Sequence, residues 1–326
     1  MLSHPPRTTT ERFQWNSLLV HVCYCLVALV IAAKCARAAE FQVVTYGSDA
    51  SSSLLSMTGE IRPGDDAKFI ALAKTLPPNR MPNWLYTFSN GGDIETALKI
   101  GRFLRDKEWQ TVLPINGGDP CVSACVLVFA GGVNRIVFQD VGRQRGLAVH
   151  RFYFSDLSPG ASREDVSRRY RTLKQAIADY LSEMNISQEL LTAMESVPPE
   201  KVRFLSEEEV DRYRLKGEDA EWNERQTAKQ AYMYGVTSAE FRRREAKADA
   251  SCQMPSAPVG KMPDAAASSK YRNCKESILY QVGVAELEKR QAILRRVGKE
   301  LVKKTKDEGV LSKCIRAIMV EGRQGC

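Results

Sequence analysis

Cys121 to Phe138 reads CVSACVLVFAGGVNRIVF. Within it, Ala124 to Ala130 is a continuous apolar run, entered through Ser123 and closed by Gly131 and Gly132. A run of that length is a buried helix or a buried strand, and in either form it needs apolar cover on every side. It therefore marks the centre of a domain. Cys121 and Cys125 flank the serine at i and i+4, where a bridge would brace the turn, although helical spacing is marginal for disulfide geometry. Ser123 reads either as an N-cap or as a nucleophile whose helix supplies the next N–H.

Outward from this run, short apolar segments alternate with amphipathic ones. Asn83 to Ser89 (NWLYTFS) reads as a strand running into a Gly-Gly turn. Asp93 to Asp106 follows with Ile94, Ala97, Leu98, Ile100, Gly101 and Leu104 near helical spacing. Lys68 to Leu76 is helical in pattern, and Thr111 to Ile115 is a short strand. Downstream, Arg135 to Phe138 and Leu147 to His150 are further strands, before a long polar-faced helix over Arg163 to Met184 and a second over Ile186 to Val197. Strands alternating with helices predict an α/β domain over residues 40–247. Residues 248–270, with prolines and many small side chains, read as a linker. Residues 271–326 carry Leu287, Leu294, Val297 and Leu301 as a helical stripe among many charges, which predicts a small helical tail pinned by disulfides. No internal repeat is visible.

The 326 residues suffice for two domains at about 150 residues each, and 44% hydrophobic with 26% charged residues is an ordinary globular balance. That balance excludes a polytopic membrane protein and wholesale disorder. Net charge is +8, from 47 basic and 39 acidic residues. The basic residues are interleaved with acids and lack an aromatic platform, so the reading is a solvated surface and no nucleic-acid partner.

Residues 1–39 read as a targeting segment. Arg7 and Arg12 precede the apolar run SLLVHVCYCLVALVIAA at residues 17–33, and Ala36-Arg37-Ala38-Ala39 offers a cleavage site after Ala38 or Ala39. The alternative is an uncleaved anchor, a membrane tether through residues 17–33 at the lower edge of a bilayer span. Both predict export of the bulk of the protein, periplasmic or secreted. Loss of the leader leaves His150 as the sole histidine and Cys121, Cys125, Cys252, Cys274, Cys314 and Cys326 as the cysteines. An even set in an oxidising compartment favours disulfides, and one histidine without a C-x-x-C pair argues against a metal. No metal and no cofactor is expected.

Three segments place special backbone or reactive groups where a strand ends. Ser89-Asn90-Gly91-Gly92-Asp93 turns from a strand into a helix, and adjacent glycines permit an outward-pointing N–H. Cys121 to Cys125 carries Ser123 at the mouth of the apolar run, and His150 follows Leu147-Ala148-Val149. In order and spacing these segments resemble the Clp-type serine protease branch of the ClpP/crotonase superfamily, and its exported bacterial members in particular. In that branch a strand ends in S-P-G-G, matched here by SNGGD at Ser89 to Asp93. The nucleophile, before an apolar helix and a small-residue turn, is matched by Ser123, and the histidine ending a strand by His150 in AVHRF. A phrase of the type F-L-S-x-x-E-A-x-x-Y-G-L is matched by FLSEEEVDRYRL at Phe204 to Leu215. The resemblance covers Gly59 to Leu215.

The resemblance implies an α/β core of repeated β-β-α units and a serine hydrolase acting on peptide or protein substrates. Ser123 would attack, His150 would take its proton, and the N–H groups of Gly92 and Ala124 would hold the oxyanion. It also implies a homo-oligomer through the long helix at Arg163 to Met184. Two departures stand out. The family's orienting aspartate, two residues before F-L-S, falls on Val202, with Glu200 and Asp211 as nearby substitutes, and the proline of the glycine turn is Asn90. Val202 keeps a second reading open, a catalytically degenerate ClpP-like binding or assembly protein. A crotonase-like role on acyl-CoA is disfavoured by export and by the lack of an adenine-binding signature.

Overall fold

The computed structural model describes residues 38–45, 53–76, 83–113, 120–138, 146–154, 160, 162–256, 264–305 and 307–326. The leader expected over residues 1–39, including the apolar run 17–33, lies almost wholly outside them. Among the described residues no helix is long and apolar enough to cross a membrane. The chain divides into two compact units, Met1–Glu218 and Asp219–Cys326.

The first unit is a mixed α/β structure on two sheets. Strands β1 (Glu40–Thr45), β2 (Ser53–Thr58), β3 (Trp84–Phe88), β4 (Gln110–Leu113), β6 (Asn134–Val137) and β9 (Gly217–Glu218) form the larger sheet in the order β1-β2-β3-β4-β6-β9. The four strands from β2 to β6 are parallel, and β1 and β9 close the two edges antiparallel. Strands β5 (Cys121–Val122), β7 (Leu147–Val149) and β8 (Arg203–Phe204) form the smaller sheet, with β5 parallel and β8 antiparallel to β7. Single bridges Ser89↔Cys121 and Ile61↔Gly92 carry that pairing back toward the N-terminus.

A repeated path results. After each parallel strand of the larger sheet the chain makes a brief pairing on the smaller one and then enters a helix. Thus β2 leads through Ile61 to α1 (Asp65–Thr75), and β3 through Ser89 and Gly92 to α2 (Ile94–Asp106). Likewise β4 leads through β5 to α3 (Ala124–Ala130), and β6 through β7 to α4 (Arg163–Glu183). Four β-β-α steps are present although no sequence repeat announces them, because the smaller-sheet pairings are only one to three residues long.

The apolar run is a helix, and every residue of α3 is buried. Its closing carbonyls are all satisfied from outside the helical ladder. Tyr180 Oη donates to Leu127 O at 2.6 Å and Thr111 Oγ1 to Phe129 O at 2.8 Å. Gly131 N donates to Val128 O at 3.1 Å, and the Arg135 guanidinium reaches Ala130 O at 3.4 Å and Gly132 O at 2.9 Å. Burial pushes the Tyr180 hydroxyl far above its ordinary range, so it stays a neutral donor. Tyr180 fits because Gly101 on α2 has no side chain; a Cβ there would lie 1.8 Å from Oη.

Below β7, helix α5 (Glu189–Ser196) follows α4, and α6 (Glu207–Arg212) follows β8. Helix α6 opens on a reciprocal capping box between Ser206 and Glu209, and Glu209 also binds Arg203 of β8 at 2.7 Å. Those contacts tie β8 to α6, while Leu205 N donates to Leu147 O of β7 at 2.9 Å.

The second unit is helical: α7 (Ala220–Met233), α8 (Ser238–Ser251), α9 (Ala265–Tyr280), α10 (Val284–Lys304) and α11 (Glu308–Met319). Leu287, Ile293, Cys314, Ile318 and Met319 form one core, with Leu294, Val297 and Leu301 of the expected stripe packed on it. Ala231, Phe241 and Leu279 form another, uniting α7, α8 and α9. The unit boundary therefore falls at residue 218 rather than 247. Helices α7 and α8, expected within the α/β domain, join the second unit, because Ala231 and Phe241 pack with Leu279 of α9. The expected linker is also shorter. Ala265 to Lys270 already belongs to α9, capped by Asp264, whose carboxylate accepts from Ala267 N at 3.0 Å, and alanine is the best helix former. Cysteines pair as Cys121–Cys125, Cys252–Cys274 and Cys314–Cys326, with Cα separations of 5.3, 5.9 and 4.7 Å. All three separations lie within the normal span.

Candidate active site

Ser123 sits between β5 and α3 with φ 57° and ψ −123°. That conformation is rare for any residue with a side chain, costs about 1–3 kcal/mol, and persists only where its surroundings impose it. They do. Ser123 N donates to Ala148 O at 2.9 Å and Val122 N to Ser89 O at 2.9 Å, while Val126 N donates to Ser123 O at 2.9 Å. The Cys121–Cys125 bridge closes around the turn. A strand, a strained serine and a helix in immediate succession make a geometry that lifts a hydroxyl out of a sheet. Ser123 is 7% exposed, and among the described residues its hydroxyl makes no hydrogen bond.

The glycine turn packs directly on this serine. A Cβ on Gly91 would lie 2.7 Å from Val122 O, 2.8 Å from Ser123 Cβ and 3.0 Å from Ala124 N, and φ there is +92°. Gly92, at φ +135°, would place a Cβ 2.1 Å from Ile61 O. Ser89 organises the turn from beneath, donating its hydroxyl to Gly59 O and accepting from Gly91 N at 3.1 Å. Ile61 N donates to Gly91 O, and Asp93 N to Ile61 O, both at 2.8 Å. Among the described residues, neither Gly92 N–H nor Ala124 N–H donates a hydrogen bond. Two unclaimed donors thus flank the serine turn, one on each side of the Gly91–Ser123 contact.

His150 follows β7 directly. Registers Cys121↔Leu147 and Val122↔Ala148 place Ser123 level with Val149, one residue before the histidine. The imidazole is partly exposed, its Nδ1 lies 2.9 Å from Arg151 O, and its ring centroid is 6.2 Å from that of Tyr153. Among the described residues no hydrogen bond joins His150 to Ser123. On the other side, β7 pairs Ala148 with Phe204 and Val149 with Arg203, so the register runs on to set Val202 opposite His150. Val202 is 50% exposed. Neither Glu200 nor Asp211 makes a hydrogen bond to the imidazole among the described residues.

All four expected site residues thus lie on neighbouring segments of one sheet end. Sequence reasoning passed over three others that shape the site. Gly91 packs directly on Ser123, and Ser89 anchors the turn; the S-x-G-G string is their only signal. Arg151 carried none. Its N donates to Val197 O at 2.8 Å, and its guanidinium clamps Glu195 O from Nε at 2.9 Å and from a terminal nitrogen at 2.7 Å. The Glu195 carboxylate in turn accepts from Tyr170 Oη at 2.6 Å and from Lys174 of α4. Burial acts to raise that carboxyl, but the Lys174 and Tyr170 hydrogen bonds outweigh it and hold it below its ordinary value.

No family model matches the chain, and no curated protein does. Among solved structures it is similar to a ClpP1 mutant from Listeria monocytogenes, at 16% identity and a TM-score of 0.36, over 52% of this chain and 93% of that one. The overlap at that score is partial, and the reading of the site rests on its own geometry.

Proposed function

We propose that this chain is an exported ClpP-like serine hydrolase acting on peptides, with Ser123 as nucleophile and His150 as base. The observation that carries the reading is the backbone of Ser123, held at φ 57° and ψ −123° between a strand and a helix. Strain of this kind collects where chemistry needs a side chain presented rather than packed. The motif order SNGGD, CVSAC, AVHRF and FLSEEE supports the same reading. Export through residues 1–39, to the periplasm or the exterior, belongs to this proposal. So does self-association through α4.

The chemistry follows from the donors and acceptors available. Ser123 Oγ attacks the amide carbonyl carbon while His150 Nε2 takes the hydroxyl proton, and the carbonyl π pair moves onto oxygen. Gly92 N–H and Ala124 N–H receive that oxyanion; one such donor is worth about 3 kcal/mol in other hydrolases. Collapse expels the amine, which leaves with the proton held by His150. Water then adds to the acyl carbon as the same imidazole takes its proton, the bond from that carbon to Ser123 Oγ breaks, and the imidazole returns the proton to Oγ as the acid leaves.

A second reading has its own support. An exposed valine stands where an orienting acid is expected, and among the described residues no hydrogen bond joins the histidine to the serine, as in a fold retained for binding or assembly. Fluorophosphonate labelling of the oxidised full chain decides between them. A serine hydrolase is labelled, and the label disappears in Ser123→Ala and His150→Ala. An unlabelled wild type with intact near-ultraviolet circular dichroism overturns the hydrolase and leaves the binding protein.

A further inference from the structure

The position that would orient His150 with a carboxylate is Val202, yet the imidazole is not without a partner. Nδ1 lies 2.9 Å from the main-chain oxygen of Arg151. A carbonyl oxygen has no hydrogen to give, so the hydrogen in this bond belongs to Nδ1. In the neutral ring Nε2 is then left as the only lone-pair nitrogen, which is the form a general base needs. We infer that Arg151 is the positioning residue of the site, its backbone carbonyl taking the place of the absent acid. The inference rests on the hydrolase reading given above.

The residue that carries this carbonyl is anchored at its amide and at its side chain. Arg151 N donates to Val197 O at 2.8 Å, and the Arg151 guanidinium grips Glu195 O twice, at 2.9 and 2.7 Å. Both acceptors belong to the C-terminal end of α5. Glu195 is itself tied to α4 through Tyr170 and Lys174. Arg151 thus joins the histidine to two helices of the first unit. A neutral carbonyl differs from a carboxylate in one respect. Hydrogen bonds to an ionised acceptor are roughly twice as strong, so the imidazolium formed during attack is stabilised less here. The arrangement fixes the tautomer while giving up part of the charge stabilisation.

The test reads the tautomer directly. In the full chain labelled with ¹⁵N-histidine, the His150 signals are identified by their loss in His150→Gln. The expected neutral form is Nδ1–H, whereas an unconstrained imidazole favours Nε2–H. In Arg151→Ala the population should move toward Nε2–H, and fluorophosphonate labelling should slow by about tenfold or more, the scale of a compromised general base. Arg151→Lys, which offers Glu195 O fewer donors, serves if the alanine variant does not fold, with a smaller shift in the same direction. An Nε2–H ring in the wild type, or a tautomer unmoved in a folded Arg151 variant, overturns the inference whether or not the serine labels. An unlabelled serine beneath an Nδ1–H ring sinks the hydrolase reading instead and leaves the histidine geometry standing.

Discussion

At Ser123 the backbone sits in a region natural to glycine, while its hydroxyl is the reason to keep a side chain. The contacts that enforce this are rigid, since Gly91 meets the turn at backbone atoms that cannot swing away. Stability and chemistry therefore pull in opposite directions at this residue. Ser123→Gly removes both the strain and the hydroxyl, whereas Ser123→Ala removes only the hydroxyl. The glycine variant should be the more stable of the two, by about 1 kcal/mol in urea unfolding. An alanine variant as stable as the glycine one would mean that the turn stores no strain. His150 and Ser123 were legible as residue types, because a lone histidine and a serine at the mouth of an apolar run stand out. Their shared sheet end was not, since it depends on the β5–β7 register.

Among the elements, α4 and α5 matter most to the site, because together they hold Arg151 and thereby the histidine. Tyr170 and Lys174 on α4 both bind the Glu195 carboxylate on α5. Burial, with Glu195 alongside, pushes the Tyr170 hydroxyl up to about 12, so it remains a donor at any ordinary pH. Glu195 moves the other way, below its ordinary value. A carboxyl whose pKa is lower in the folded state gives stability above its unfolded value, about 4.3, and loses it as pH falls through the folded value. Glu195→Gln should therefore be less stable than wild type at pH 7, with the gap narrowing between about pH 5 and 3. A gap that stays constant across that range, followed by chemical denaturation, would show that the carboxylate adds nothing by its charge. The helices themselves were readable from their spacing, as α2 was from Ile94 to Leu104. Their mutual clamp was not, because Tyr170, Lys174 and Glu195 are ordinary surface-type residues until α5 turns back onto α4.

For the molecule as a whole, the division into two units carries the main consequence. Each has its own apolar core, and among the described residues one disulfide lies in the first unit and two in the second. Cys252 and Cys274 are 22 residues apart, a loop whose closure is worth about 3 kcal/mol to the folded state. Replacing both by serine should lower one of two calorimetric transitions and leave the other where it was. A single transition that moves as a whole would show that the units unfold together.

By itself, the sequence determined what local composition can determine. Its uncharged run at Ala124 to Ala130 had to be buried, its paired glycines had to turn, and its apolar spacing had to make helices such as α2. These follow from side-chain volume, charge and backbone freedom over a few residues. Only the tertiary structure decided that the run is a helix, because the local Gly131, Gly132 and Arg135 donors are joined at its last carbonyls by Thr111 and Tyr180, 18 and 53 residues from the carbonyls they bind. It alone gave the imidazole a backbone carbonyl to hold. It also assigned α7 and α8 to the second unit. Where the deciding partner is remote in sequence, as Tyr180 is from α3 and Leu279 from α7 and α8, a hydrogen-bond or packing requirement that is met at a distance leaves no mark in the local pattern.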